Sequence, residues 1–459
     1  MRIRLIIYCL LIAILPLSSP LPSTRAVQSG EFEDLQGYLD PAPLGMDVRY
    51  AWTLPGGTGR NVRIVDIEVN WNLHHNDLSA AITNAFLVDE GVDPQPDVNV
   101  NHGTAVLGEL VAAPDGVGVT GIAYDAQLGL ISPLKEGVLP RVAEAVARAT
   151  KRLGPGDVIL IEAQSLHGPR FDPQTGRGLV PIEWDLDVFN AIKAATAKGI
   201  VVIEPAGNGF EDLDHPAYNG KFNRNVRDSG AIIVGSGLPE GEAYGRGPDR
   251  TRAEESNYGS RVDLQGWGRS ITTCGYGDLR RGQGEDNWYT SEFGGTSGAA
   301  AMVAGAAAVL QSILIERGQP PLTPIQLRRL LAATGTPQTG DTGQNIGPRP
   351  NLRAAIEMLD RPPQDSDPVI LNIKYKSSSG KLIVDGENFL DDISVIEING
   401  TAIPRMKYPA NYVLPGGLMT RVTSKGDISA MLPRGVAVSI TVYNPSSGRR
   451  STPVMFTRQ

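Results

Sequence analysis

The stretch Phe293-Gly294-Gly295-Thr296-Ser297-Gly298-Ala299-Ala300-Ala301-Met302-Val303-Ala304-Gly305 sets a serine after a Gly-Gly-Thr turn, at the head of a run of small helix formers. Such a serine lies on the first turn of a helix, where backbone N–H groups lack intrahelical acceptors and the dipole favours negative charge. That is a suitable seat for a nucleophile with an oxyanion forming beside it. The alanines and glycines that follow let the helix press closely on a sheet, because no long side chain holds it off. Taken alone, the stretch fits equally well an N-cap at Thr296 or Ser297 on a small-residue core helix.

Away from this helix, strands and helices alternate. Asn61 to Asp66, Gln127 to Ile131, Asp157 to Ile161, Ile200 to Ile203 and Ala231 to Val234 are short apolar runs rich in β-branched residues. Between them, Arg141 to Leu153 carries Val142, Ala145, Val146, Ala149 and Leu153 at helical spacing, and Glu183 to Lys198 is a second helix stopped by Gly199. A further helix runs from His102 to about Ala112, and Thr323-Pro324-Ile325-Gln326 has the capping-box pattern that starts another. Near-continuous apolar strands separated by helices predict an α/β fold, a doubly wound parallel sheet with right-handed crossovers.

Composition divides the chain further. Residues 361–367 are linker-like, and residues 368–459 hold strands at 381–384, 394–398 and 436–443 with no competing helical period. A small all-β sandwich of the immunoglobulin type is expected there. At the other end, Met1-Arg2-Ile3-Arg4 precedes an apolar run from Leu5 to Leu17, so residues 1–26 have the form of a secretory signal peptide. Residues 27–44 form a polar N-terminal segment and residues 45–360 the main domain. A net charge of −8 without a basic stripe argues against a nucleic-acid partner. Cys274 is the single cysteine beyond the signal segment, so no internal disulfide is expected.

Amide hydrolysis by a serine needs a base for the hydroxyl proton, a carboxylate to orient that base, and donors for the oxyanion. Histidines occur at 74, 75, 102, 167 and 215, and His102, in His102-Gly103-Thr104, falls on the first turn of a helix. Asp66 closes the first apolar strand, the end at which open α/β sheets place their chemistry. Asn208, in Ala206-Gly207-Asn208-Gly209, follows another strand and offers a side-chain amide. Each has a plain structural alternative: a loop-capping aspartate, a packed histidine, a Gly-Asn-Gly turn.

Taken together and in this order, Val65-Asp66, His102-Gly103-Thr104, Ala206-Gly207-Asn208 and Gly295-Thr296-Ser297 resemble the signature segments of the subtilisin-like serine proteases, over about residues 45 to 356. The resemblance implies a subtilisin-like fold and a triad of Asp66, His102 and Ser297, with Asn208 in the oxyanion hole. It implies that Ser165-Leu166-His167-Gly168, with Ala206 and Gly207, binds an extended peptide substrate. It implies no cofactor for the chemistry, and it allows a structural calcium at Asp77 and Asp115, where oxygen ligands would suit the ion. The related family with a Glu-Asp-Ser triad lacks such a histidine and has aspartate at the oxyanion position; His102 and Asn208 argue against it. Departures are visible. Ile67-Glu68 stands where Thr-Gly or Ser-Gly is usual, and His167 and Glu204 are polar beside the substrate segment. In the last region, Val384 to Phe389 and Val442 to Gly448 resemble an IPT/TIG domain, a module that binds, spaces or presents. The expectation is an exported endopeptidase acting on peptides or proteins, with no membrane span in the mature chain and a C-terminal module that binds a polymer or protein. A binding protein on the same scaffold, or an esterase with the same triad, are the alternatives.

Overall fold

The computed structural model describes residues 32–89, 100–134, 141–224, 226–241, 248–360, 367–390, 394–405, 418–445 and 448–459. The signal segment 1–26, residues 27–31 of the N-terminal segment and linker residues 361–366 lie outside them.

The five apolar runs become β1 (Arg63–Ile67), β3 (Gln127–Ile131), β4 (Val158–Ile161), β5 (Val201–Pro205) and β6 (Ile232–Gly237), and β2 (Leu87–Val88) and β7 (Leu264–Trp267), which the sequence reading did not include, complete the sheet. They pair in parallel in the order β2-β3-β1-β4-β5-β6-β7. From β1 the chain runs to the edge strand β2, returns through β3 between the two, and then crosses to β4 on the other side of β1, so the winding reverses between β1 and β4. In open α/β sheets the crevice outside the carboxyl ends of the strands at such a reversal is where ligands bind.

Helices cover both faces. On one, α2 (Val142–Arg152) and α3 (Leu186–Ala197) bury Val142, Ala145, Val146, Ala149, Val188 and Ile192 against Val65, Ile67, Ile159, Ile161 and Val202. On the other, α1 (Asn101–Val111) and α4 (Gly295–Glu316) pack together, and α4 also packs on β4 to β7. The approach of α4 is close enough to need glycine: a Cβ on Gly266 of β7 would lie 2.7 Å from Ala299 Cα. Among the described residues α4 is the one helix long and apolar enough to cross a membrane, and it is buried in the core. Helix α5 (Pro324–Thr334) begins with the expected capping box between Thr323 and Gln326, and α6 (Leu352–Asp360) follows.

The chain divides into two compact units, Met1–Ala355 and Ile356–Gln459. The second contains two antiparallel sheets. One joins β8 (Val369–Lys376), β9 (Lys381–Leu390) and β12 (Leu418–Thr423); the other joins β10 (Val395–Ile398), β11 (Thr401–Ile403), β13 (Ala437–Asn444), β14 (Arg449–Arg450) and β15 (Val454–Thr457). Leu382, Val384 and Val422 of the first meet Ile396, Ile398, Ile440 and Val442 of the second in one core. This is the all-β architecture expected for the region, with strands at 369–376 and 454–457 that the sequence reading did not include.

Candidate active site

Strand β1 stops at Ile67, and alternation along the extended chain sends Asp66 and Glu68 to the same side. Glu68 lies nearer the carboxyl edge and is longer by one methylene. Its Oε2 is 2.5 Å from His102 Nδ1. Asp66, expected from the sequence to hold the histidine, has a different partner: its Oδ2 accepts from Trp71 Nε1–H at 2.7 Å, and its Oδ1 is buried without a partner. The reason is register. The Asp66 carboxyl ends one pleat deeper in the sheet, and the first turn of α1 arrives over Glu68. Glycine permits that arrival, since a Cβ on Gly103 would lie 2.4 Å from Asn70 O and 2.7 Å from Glu68 Cγ.

The electrostatics follow the pairing. Dense packing around His102 disfavours the charged ring, which keeps 23 % of its side chain exposed, but the charge and hydrogen bond of Glu68, helped by Asp66, outweigh this and raise its pKa. Asp66 is pushed well above the usual carboxylate range by burial first and then by the charge of Glu68, while Trp71 and His102 act in the other direction. Two carboxyls this close favour one neutral member, and Asp66 is the better candidate for it.

Helix α4 begins at Gly295, with Gly294 as an N-cap that makes no side-chain bond. The alternative of a mere cap at Thr296 or Ser297 is thereby removed: both residues are inside the helix. Thr296 N–H and Oγ1–H both donate to Asn208 Oδ1, at 3.0 and 3.1 Å. Because a backbone N–H can only donate, the atom facing it is the amide oxygen, and Asn208 Nδ2 is left to serve as a donor. The loop carrying Asn208 is pinned by Asn257, whose Nδ2 donates to Ala206 O and Leu179 O and whose Oδ1 accepts from Gly209 and Glu211 N–H. Gly207 has φ 94°, and a Cβ there would lie 2.8 Å from Asn257 Nδ2.

Ser297 is half-buried. Phe293, four residues before it, packs edge-on against the His102 ring at 5.5 Å between centroids. Among the described residues no hydrogen bond joins Ser297 to His102; the carboxyl on which the Ser297 side chain acts is Glu162, just beyond β4. Apo sites often close such a bond only when substrate arrives. The structure thus gathers Asp66, Glu68, His102 and Trp71 at the end of β1, with Asn208, Ser297 and Glu162 beside the head of α4. Glu68, Trp71, Glu162 and Asn257 were not assigned roles from the sequence. The available signal was the Asp-x-Glu spacing, which on a strand places two carboxyls on one face.

The segment read from the sequence as substrate-binding lies on a short two-stranded ribbon. Gln164–Ser165 pairs antiparallel with Val180–Pro181, and Ser165 is buried with its Oγ accepting from His167 N–H at 3.1 Å. Gln164 Oε1 accepts from Asn208 N–H at 2.9 Å, linking this segment to the loop that carries Asn208. Leu166 and Gly168 are partly exposed, and His167 is exposed with Nδ1 2.8 Å from Asp185 Oδ1. A cleft of about 630 Å3 lies between the starts of α2 and α3 with His167 on its wall; it does not include Ser297 or His102. Glu204, read from the sequence as a polar residue beside the substrate segment, is fully buried, with Oε2 accepting from Glu183 N–H at 3.1 Å.

The two aspartates read as calcium ligands each accept from backbone N–H groups. Asp77 is 1 % exposed, and its Oδ2 accepts from Val119 N–H at 2.9 Å. Burial raises its pKa to about 7, so near neutral pH much of it is an uncharged acid. Asp115 Oδ1 accepts from Val117 N–H within its own turn. Among the described residues no group of three or more His, Cys, Asp or Glu is placed to hold a metal ion.

A parallel sheet with its reversal at β1 and β4, a serine heading a buried helix and a histidine on a carboxylate define a hydrolase of the acyl-transfer class. The family model described as "Subtilase family" matches residues 57–347. The chain belongs to the subtilase family, and it is a serine-type endopeptidase. It is 27% identical over 285 residues to an intracellular serine protease of Paenibacillus polymyxa, covering 60% of this chain and 74% of that protein. It is 26% identical over 334 residues to an extracellular protease of Xanthomonas campestris pv. campestris, covering 66% of this chain and 52% of that protein. Among solved structures, a lanthipeptide protease shares the fold, with a TM-score of 0.51 and 20% identity over 71% of this chain and 96% of that one.

Proposed function

We propose that this subtilase is an exported endopeptidase whose working set is Ser297, His102 and Glu68, with Glu68 in the orienting role the sequence pattern gives to Asp66. The observation that carries this is the 2.5 Å contact between His102 Nδ1 and Glu68 Oε2. With Nδ1 taken, Nε2 is the nitrogen that receives the Ser297 proton. Ser297 Oγ then attacks the peptide carbonyl, and the oxyanion is met by Asn208 Nδ2 and the backbone N–H of Ser297 at the head of α4. His102 returns the proton to the leaving amine, and water, deprotonated by the same ring, hydrolyses the acyl-enzyme. Asp66 stays behind the pair as a neutral carboxyl that buttresses Trp71 and Glu68.

The substrate is an extended peptide lying along Ser165 to Gly168, with the residue before the scissile bond between that segment and Ala206–Gly207. Export rests on the basic and apolar pattern of residues 1–26. The IPT/TIG-like module at 368–459 would hold the enzyme to a polymer or protein, a role supported by its separate core. Peptides of increasing length, assayed beside a short ester, test the substrate class. The reading expects kcat/KM to rise as residues are added before the cleaved bond. Turnover of the ester with every peptide left intact would make the protein an esterase.

A further inference from the structure

A third buried carboxyl stands beside the nucleophile, in the crevice between the carboxyl ends of β1 and β4. Glu162 directly follows β4 and is 3 % exposed. Its backbone N–H donates to Ile67 O at 2.9 Å, which fixes it against the end of β1 one residue from Glu68. Neither of its carboxyl oxygens completes a hydrogen bond of full geometry among the described residues, while the one hydroxyl acting on the carboxyl is that of Ser297. A buried carboxyl without a committed partner is costly where an apolar side chain of similar size would pack without that cost. Its placement against the reacting atom gives the group a use.

We infer that Glu162 is a positioning residue for the nucleophile, its carboxyl holding the Ser297 hydroxyl in the orientation from which the proton passes to His102. The inference rests on the reading of Ser297 and His102 given above. The neutral carboxyl donates its O–H to one lone pair of Ser297 Oγ, which leaves the serine O–H free to donate to His102 Nε2. During attack the bond from Oγ to the carbonyl carbon forms, the serine proton moves to His102, and the carbonyl π pair moves onto the oxygen facing Asn208. Glu162 keeps its proton throughout. In deacylation the same O–H meets the departing Oγ until His102 returns the proton. An ionised Glu162 would instead accept the serine O–H and draw it away from His102.

The surroundings favour the neutral form. Burial acts first on Glu162, then the charges of Glu68 and Asp66 from the end of β1, with Glu109 of α1 adding to them and Ser297 alone opposing. The titratable groups that act on it most strongly, Glu68, Asp66 and Glu109, are all carboxyls.

The experiment compares full-length wild type with Glu162→Gln, which keeps a donor and an acceptor, and with Glu162→Leu and Glu162→Met, which keep volume without either. Thermal melting checks folding, and kcat and KM are measured on one peptide across pH. Loss of one hydrogen bond to the reacting oxygen predicts that the apolar variants lower kcat about 10-fold at unchanged KM. Glu162→Gln should restore wild-type kcat near neutral pH and lack the alkaline decline that ionisation of Glu162 causes. Wild-type kcat and a superimposable pH profile in a folded apolar variant would overturn the inference, as would a Glu162→Gln variant no better than the apolar ones. Should Glu162→Leu fail to fold, Glu162→Met, whose flexible chain fits irregular gaps, supplies the comparison. Peptidase activity persisting in Ser297→Ala would instead overturn the reading of the nucleophile itself.

Discussion

Ser297→Ala and His102→Ala each lower kcat on a peptide by about 10^6-fold, Glu68→Gln lowers it by about 10^4-fold, and Asp66→Asn costs far less than any of them. The first two remove a group whose bond or proton transfer defines the step, so little remains beyond oxyanion stabilisation and binding. Glu68→Gln keeps the size of the side chain but exchanges a carboxylate for an amide. An amide can present its N–H to Nδ1, which would put the ring proton on Nε2 and leave the base unable to take the serine proton. Asp66 differs because its carboxyl is pushed toward the neutral form by burial and by Glu68. Asparagine still accepts from Trp71 Nε1–H and is uncharged, like the neutral carboxyl it replaces. The ladder is read from kcat on one peptide at one pH. An Asp66→Asn loss equal to that of Glu68→Gln would return the orienting role to Asp66.

The largest effect on stability is expected at Arg261, which is fully buried. Its guanidinium lies 3.0 Å from Glu183 Oε1 and 2.6 Å from Asp263 Oδ2. Asp263 also pairs with Arg224 and lies 3.7 Å from Arg328, and Arg328 in turn pairs with Asp228 at 2.6 Å. Burial by itself would discharge Arg261; Glu183, Asp263 and Asp228 hold it charged and raise its pKa. Asp263 shows the same balance with opposite sign: burial raises its pKa, and Arg224, Arg261 and Arg328 bring it below the usual range. Arg261→Met leaves Glu183 buried without its cation, beside Glu204, whose carboxyl already sits well above its ordinary range through burial and Glu183. Removing one partner of a buried network costs about 3–5 kcal/mol, against a typical domain stability of about 5–15 kcal/mol. Denaturant unfolding should show that loss for the single variant and partial recovery in Arg261→Met with Glu183→Gln. Glu183 N–H donates to Glu204 in the strand that leads into the loop carrying Asn208, so loss of the network should loosen that loop.

The parts of the fold legible in the sequence are those where one residue type has one use. Val158 to Ile161 and Val201 to Ile203 are uninterrupted apolar runs, and both are buried parallel strands. The Gly-Gly-Thr turn before Ser297 announced a helix start, and α4 begins at Gly295. Strand β7 was not legible, because Leu264–Trp267 mixes glutamine and glycine into a segment that is nonetheless fully internal. The same holds at the site. Ile67-Glu68 is visible in the sequence as a departure, but its meaning depends on where β1 stops and how far α1 reaches, which are properties of packing. Glu162 looks like the first polar residue after a strand, the ordinary sign of a surface loop, and only the crossing of β4 beside β1 buries it. Glu204 misleads in the same way, since β5 runs on to Pro205 beneath the loop that follows.

The pairing of His102 with Glu68 is the claim on which the mechanism turns, and the pH dependence of kcat/KM in wild type, Glu68→Gln and Asp66→Asn tests it most directly. The acidic limb reports protonation of the free enzyme's histidine, the form that cannot act as base. Because Glu68 raises the pKa of His102 above the ordinary 6.5, the wild-type limb should lie above pH 6.5. Removing the Glu68 charge should move it to lower pH, with Asp66→Asn close to wild type. A limb unmoved in Glu68→Gln and shifted in Asp66→Asn would contradict the account.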